Sequence, residues 1–354
     1  RPPRSTLFPY TTLFRSGVSA ASALQPDAEL LASLRTAKLI DDSASYERLT
    51  GGISSDIWKV TTPEGSFCVK RALPQLVVEV EWRVPVERNR FEVDWYKIAA
   101  ELVPGAAPKV LAHDADAMLF AMEFLDPGEF KLYKDELRDG RADPAIAGEV
   151  GRRLARIHAG TAGRADLKER FPRNDIFHAI RLEPYLEATA RNHPDLRDIL
   201  FALSERTHVT RLAMIHGDVS PKNILIGPDG PVFLDAECAC IGDPAFDLAF
   251  CLNHFLLKCL WTPSAKSAFL DCFDAMTAAY LAGVTWESPD EMEARTASLL
   301  PGLFLARVDG KSPVEYITED AQRDRVRRVG RALLKSPPSR LAEMRVAWEE
   351  ELKS

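Results

Sequence analysis

"MIHGDVSPKNILIGPDGPVFLDAE" (Met214–Glu237) is the stretch on which the reading of this chain turns. His216, Asp218, Asn223, Asp235 and Glu237 stand at the ends of short apolar runs, where a folded core normally excludes charge. "AMIHGD", "ILIG" and "VFLDAE" read as short strands or loops, the last two separated by the turn "GPDG". Asp218 follows an apolar strand and His-Gly, so its carboxylate sits on a turn that can face a cleft. Asn223 comes five residues later, and Asp235 twelve beyond that. A hydroxyl nucleophile needs an acceptor oxygen to orient it and take its proton. A nucleotide's magnesium needs hard oxygen ligands, which Asn and Asp supply. Two carboxylates and an amide on adjacent loops meet both needs. Singly, each could be an Asx-turn residue capping a loop, and His216 a satisfied core histidine. The ordered set points to catalysis.

Upstream, residues 27–40 have helical spacing. "YERLTGGISSDIWKVTTPEGSFCVKRAL" then reads as three strands broken by a Gly-Gly turn and by "TPEG". "PVERNRFEVDWYKIAAEL" places apolar residues at 91, 95, 98, 99 and 102, a helix that Pro104 and Pro108 end. "KVLAHDADAMLFAMEFL" gives two more strands, with a turn at Asp114–Asp116. The order β-β-β-α-β-β fills roughly residues 44–125. Within it, the turn at Gly51 and Gly52 allows backbone N–H groups to approach phosphate oxygens, although an ordinary hairpin turn looks the same. Lys70 lies mid-strand among apolar neighbours and must reach an anion or snorkel to solvent. Glu92 is its expected partner, with Glu87 and Glu81 as competitors.

Downstream, helical spacing covers 145–159, 176–190, 195–207, 244–260, 264–282, 290–300 and 320–334. The class is α+β: a small β-rich lobe followed by a larger, mainly helical one. The expected boundaries are a non-native tail at 1–16, an N-lobe at 17–124 and a C-lobe at 125–354. The tail "RPPRSTLFPYTTLFRS" lacks an initiator Met and signal-peptide order, and reads as a translated sequencing adapter. "GDPAFDLA" starts a helix, with Asp243 as N-cap and Asp247 steadying the helix's positive end or bracing the catalytic loop.

A net charge of −7 argues against nucleic acid as the main partner, because neutralising phosphates needs a basic face. No run approaches 18 uninterrupted apolar residues, so no membrane association is expected. The six cysteines, 68, 238, 240, 251, 259 and 272, form no C-x-x-C or zinc-finger spacing. They read as buried free thiols of a cytoplasmic protein.

"HGDVSPKN" followed by "LDAE" resembles the H-G-D-x-x-x-x-N…D pattern of the aminoglycoside phosphotransferase and choline kinase superfamily. That superfamily is built on the protein-kinase-like two-lobe fold. The resemblance spans about 45–335, and "GDPAFDLAF" fits it too. Gly217 and Ala236-Glu237 stand where protein kinases carry Arg and Phe-Gly, which favours a small-molecule kinase. "VKRALPQLVVEVEWRVPVERNRFEVDW" and Asp235–Glu237 are locally similar to methylthioribose kinase, from which Asn223 departs.

The resemblance implies a set of roles. Asp218 is the catalytic base or hydroxyl-orienting group. Asn223 and Asp235 hold Mg2+, with Glu237 as a further ligand. Lys70, positioned by Glu92, contacts the α- and β-phosphates of ATP. Gly51, Gly52, Ser54 and Ser55 cover the phosphates. Backbone groups of Glu123 and Leu125, in the hinge "MEFL", meet adenine. The expected acceptor is a small metabolite bearing a hydroxyl, of sugar or amino-alcohol type and methylthioribose-like as one option. An antibiotic phosphotransferase and a nucleotide-binding pseudokinase without turnover are the alternatives, and a homodimer stays open. Trp261, Glu315, Tyr316 and the loop 306–317 are candidates for the acceptor side. The five arginines of 323–331 read first as a solvated helix face.

Overall fold

The computed structural model describes residues 25–49, 55–73 and 85–354. Helix α1 (Ala28–Thr36) starts at Asp27, whose carboxylate accepts the Leu30 N–H at 3.0 Å. Strands β1 (Ser45–Leu49), β2 (Ser55–Thr62) and β3 (Gly65–Ala72) precede helix α2 (Arg88–Leu102), and β4 (Val110–Asp114) and β5 (Leu119–Glu123) follow it. The five strands form one antiparallel sheet in the order β1-β2-β3-β5-β4.

Both faces of this sheet are covered, so its strands bury residues of either parity. Trp58, Val60, Phe67, Val69, Leu119 and Ala121 pack against Leu30 and Leu34 of α1 on the outer face. Ile57, Cys68, Phe120 and Met122 join Phe91, Trp95 and Ile98 of α2 in the main core. The register Ile57↔Lys70↔Phe120 places Lys70 on that inner side. A strand lysine is thereby committed to the interior, where it needs a carboxylate.

The rest is mainly helical. Two short hairpin-like sheets carry the opening stretch: Ala213–Ile215 pairs with Cys240–Gly242, and Ile224–Gly227 lies between Lys131–Leu132 and Gly230–Phe233. The helix Pro244–Trp261 runs through the core, its residues 244–260 all buried. Asp243 caps it, accepting the Ala245 N–H at 3.0 Å. All six cysteines are free and buried. Among the described residues, no helix is long and apolar enough to cross a membrane.

Three segments differ from the sequence reading. The helix expected over 176–190 is a short turn followed by wide turns from His178 to Glu187, with Ala188 N–H donating to the Glu183 carbonyl five residues back. Pro184 lies inside this run, and a residue with no N–H cannot complete an ordinary helical ladder. The helix expected to end at 300 continues through Pro301 to Asp309, because Leu299, Leu300, Leu303 and Phe304 are all buried in the core. A last helix, Leu341–Glu351, went unread; it is tied down by buried Trp348, whose Nε1 donates to the Leu256 carbonyl at 2.9 Å.

Candidate active site

Asp218 is placed by its backbone. Gly217 has φ +78°, and a Cβ there would fall 2.7 Å from the Cys238 Cβ and 3.0 Å from its carbonyl oxygen. Only glycine fits that turn without displacement. Asp247 reaches across to it: Oδ2 accepts the His216 N–H at 2.7 Å and Oδ1 the Gly217 N–H at 2.8 Å. His158 supports Asp247 from behind, with Nε2 3.2 Å from Oδ2 and Nδ1 2.7 Å from the Tyr280 hydroxyl. The His216 ring accepts the Asp218 N–H on Nδ1 (3.2 Å), so its proton sits on Nε2 and is donated to the Leu234 carbonyl at 3.0 Å. Burial holds this imidazole below its ordinary pKa, in the neutral form that this geometry requires. His216 is scaffold.

The Asp218 carboxylate is asymmetric. Oδ2 receives Arg181 at 2.6 Å, Lys222 at 2.9 Å and the Asn223 amide at 2.8 Å. Oδ1 is buried and has no partner among the described residues. Burial alone would raise this carboxyl, but Arg181 and then Lys222 outweigh it and hold the group below the usual carboxylate range. It is therefore an anion at neutral pH, with one oxygen fixed and the other available.

The second cluster joins the sheet to the hairpin. Lys70 Nζ donates to Glu92 Oε1 at 2.8 Å and to Asp235 Oδ1 at 2.5 Å. Of the carboxylates considered for this lysine, Glu92 is the one in contact; Glu87 precedes α2, and Glu81 lies outside the described residues. Tyr96 closes the ring, its hydroxyl donating to Glu92 Oε1 and accepting the Asp235 N–H, both at 2.8 Å. Asp235 has φ +65°, a conformation uncommon outside glycine. Burial lowers the Lys70 pKa in itself, yet Asp235 and Glu92 more than reverse this, so the ammonium stays charged. Burial pushes the Glu92 carboxyl up to about 7, against the pull of Lys70.

The expected metal ligands lie on this hairpin. The Asn223 amide nitrogen donates to the Asp218 carbonyl and carboxylate, which leaves its oxygen as the acceptor end. Asp235 follows Leu234, whose N–H donates to the Asn223 carbonyl at 2.8 Å. An amide oxygen and a carboxylate oxygen are hard donors that suit Mg2+, which usually takes one or two carboxylates and completes its shell with phosphates and waters. No group of three or more His, Cys, Asp or Glu side chains forms a metal cage among the described residues. Glu237 Oε2 accepts from Arg88 Nε at 3.1 Å, and the same guanidinium donates to the Leu73 and Pro85 carbonyls.

The remaining candidates are distributed over several elements. Ser55 begins β2 and is buried, whereas Gly51, Gly52 and Ser54 lie outside the described residues. The Glu123 N–H is engaged by the Lys109 carbonyl at 2.9 Å, and its carboxylate by the Lys109 N–H at 3.0 Å. Leu125 packs with Leu225, Val232 and Leu234 under the sheet edge. Trp261 and Tyr316 are stacked, with centroids 4.4 Å apart and planes 10° apart, and Glu315 pairs with Lys134. The arginines of 323–331 are absorbed by structural partners, such as Asp309 for Arg327 and Asp195 for Arg331.

Four site residues escaped the sequence reading. Lys222 lay inside the quoted motif, and Tyr96 sits one helical turn after Glu92, so a signal existed for both. Arg88 and Arg181 had none. Arg181 reaches Asp218 from the wide-turn segment, far away in sequence.

A family profile described as "Phosphotransferase enzyme family" (APH) matches residues 45–261. The chain belongs to that family. A methylthioribose kinase of Bacillus cereus (strain B4264) is 25% identical over 240 residues, covering 60% of this chain and 61% of the relative. One of Escherichia coli O45:K1 is 27% identical over 224 residues, covering 54% and 52%. The chain thus spans about three fifths or less of the length of these relatives. A choline/ethanolamine kinase family protein of Mesorhizobium loti has the same fold (TM-score 0.50, 16% identity, 91% of this chain and 98% of that one). So does an amicoumacin kinase solved with AMP-PNP and Ca2+ (TM-score 0.51, 14% identity, 89% and 96%). These likenesses bear out the expected α+β, protein-kinase-like fold and the superfamily resemblance.

Two outcomes follow from the geometry. Asp247→Ala strands the His216 and Gly217 N–H groups in the core, and lowers the unfolding free energy in a denaturant titration by about 2–4 kcal/mol. The raised Glu92 carboxyl binds a proton more readily folded than unfolded, so its contribution is fully present below pH 4.5 and is lost as pH rises towards 7. Over that window the stability of Glu92→Gln, measured against wild type, improves with pH; a parallel pair of curves would refute this assignment.

Proposed function

We propose that the chain is an ATP- and Mg2+-dependent kinase that transfers the γ-phosphoryl group to a hydroxyl of a small molecule. The observation that carries this is the Asp218 carboxylate, with three donors fixing Oδ2 while buried Oδ1 has no partner among the described residues. An acceptor hydroxyl donating to Oδ1 would be held for in-line attack and would lose its proton there as the new oxygen–phosphorus bond forms. ADP departs with the electrons of the broken bond. A depressed pKa makes Asp218 a weak base, which suits a reaction whose loose transition state asks for positioning before proton removal.

Arg181 and Lys222 stand beside the same carboxylate and would offset charge on the transferring group. Asn223 and Asp235 would hold Mg2+, which supplies charge neutralisation at the phosphates. Lys70, kept cationic between Glu92 and Asp235, would contact the phosphates nearer the nucleoside. The hinge residues Glu123 and Leu125 would border adenine, with Leu225, Val232 and Leu234 as its apolar floor. The similarity to methylthioribose kinases, and a protein of the same fold solved with AMP-PNP and Ca2+, support the nucleotide and divalent-cation parts of this reading.

Transfer from γ-labelled ATP to a panel of hydroxylated metabolites tests the proposal. Asp218→Asn should lower kcat by about 10²–10⁴-fold while Mg-ATP binding persists. Undiminished turnover in that variant would remove Asp218 from its role.

A further inference from the structure

The helix Pro244–Trp261 bears buried Phe250, His254 and Lys258 and half-buried Trp261, at steps of four, four and three residues. His254 is 7% exposed, and its Nε2 has no partner among the described residues. Lys258 is 1% exposed. Its ammonium lies 4.3 Å from the Trp261 ring centroid and 5.1 Å from that of Tyr316, and no described carboxylate pairs with it. The buried Tyr316 hydroxyl also has no partner among the described residues.

Arg307 comes to the same place from the neighbouring helix Pro289–Asp309 and is 8% exposed. Its Nη1 donates to the Tyr185 hydroxyl at 2.9 Å and the Ser312 carbonyl at 2.5 Å, both neutral, while Nε has no described partner. The Tyr185 ring beneath it packs on Phe250 at 5.4 Å, and Phe250 on His254 at 5.7 Å. Lys134 is the third buried cation here and, among the described residues, the one of the three with a carboxylate in ion-pair contact, Glu315; Glu315 and Asp135 reach Lys258 only at longer range. The field at His254 is set by Arg307, Lys258, Lys222 and Lys134, all cationic; Lys222 is the residue 2.9 Å from Asp218 Oδ2. Through Lys222 the cluster is within electrostatic reach of the carboxylate proposed for the acceptor hydroxyl.

A chain with 52 acidic against 45 basic residues has no shortage of carboxylates to neutralise such a cluster. Elsewhere it does so, as with Arg327 on Asp309 and Arg328 on Glu351. Two buried cations with no carboxylate in contact, and three buried polar atoms without partners, among the described residues, are costly unless an anion from outside completes them. Burial brings Lys258 down to about 7, so a bound anion would also restore its proton.

We propose that the acceptor is an anionic hydroxy compound whose carboxylate or phosphate group is held by Lys258, Arg307 and His254, while one of its hydroxyls meets Asp218. This rests on the kinase reading above and names its substrate class. Arg181 and Lys222 are left for the transferred phosphoryl group. A cationic amino-alcohol or polyamine would meet repulsion on this side of the cleft, and a neutral sugar would leave the cluster uncompensated.

The test uses the full chain with Mg-ATP and four acceptors: gluconate, ribose 5-phosphate, ribose and choline. One of the two anions should exceed ribose in kcat/KM by about tenfold or more, with choline inert. Gluconate and ribose 5-phosphate separate a carboxylate from a phosphate as the group recognised. Lys258→Met, which keeps the packing on Trp261 and Tyr316, should raise KM for that anion about tenfold with little change in kcat, while Lys258→Arg retains the preference. Preference for ribose or choline would overturn the anionic assignment and leave the kinase reading standing. Binding of each anion to the Mg-ADP form is measured separately, so that the site is decided even where no turnover is seen. Tighter binding by wild type than by Lys258→Met upholds the site, and equal binding rejects it. Melting temperatures establish that both variants fold.

Discussion

The Lys70 ammonium, fixed on the inner face of the sheet by strand register, bridges Glu92 on α2 to Asp235 on a hairpin 165 residues further along the chain. The rest of the site is set from this one group. Taking it out of water costs several kcal/mol, and a second carboxylate on one lysine adds mutual repulsion. The raised Glu92 carboxyl records that cost. A buried ionic cluster of this kind is weak evidence for stability, but it fixes geometry, because each partner is useless to the others when displaced. Tyr96 tightens the constraint by joining the Glu92 carboxylate to the Asp235 backbone. The unusual φ of Asp235 is held from both of its ends.

The geometry of the Asp218 loop is then inherited. Once the hairpin is docked against α2, the Leu234–Asn223 backbone bond sets Asn223, and the Asn223 amide sets Asp218. From the other side, Asp247 fixes the same loop through two backbone N–H groups. The loop is braced by residues of two separate elements, and the side chain whose oxygen remains unpartnered sits where they converge. Desolvation is concentrated at Asp218, where the proposed phosphoryl transfer would need positioning most.

Much of this was legible in the sequence, for identifiable reasons. Short β-prone runs between turn signals marked β2 and β3, and Lys70 stood out as a charge among apolar neighbours that had to reach an anion or solvent; that both faces of its strand are covered emerged only from the fold. Asp218, Asn223 and Asp235 were legible because the short turns joining them fix their separation almost independently of the rest of the fold. Asp243 declared itself through the proline that follows it. Arg181 did not, since its contact with Asp218 depends on how wide turns around Pro184 rotate a helix that periodicity draws as regular. The role of Glu237 was read from motif alone, and its contact with Arg88 depends on how α2 docks beside the hairpin.

The charge of the proposed acceptor side was illegible for a deeper reason, although Trp261, Glu315 and Tyr316 stood out as candidates for it. Lys258, Arg307 and Lys134 are each ordinary at the level of sequence: a lysine in an apolar helix, an arginine near a helix end, a lysine in a short helix. Their meaning comes from what fails to accompany them after folding. Among the described residues a single carboxylate is in ion-pair contact with these three buried cations, in a chain whose net charge is −7. Absence of a counter-ion has no local signature, because any of the chain's acidic residues could have met them in space. The two halves of the site also differ in how they are built. The proposed nucleotide half uses short loops whose spacing chemistry dictates, and one family can hold it constant. The proposed acceptor half uses faces of long helices and the loop 310–317, where one substitution would change the charge without disturbing Lys70, Asp235 or Asp218. A scaffold of this design can exchange one acceptor for another by altering which charges its C-terminal helices leave unpaired, and this chain has left positive ones.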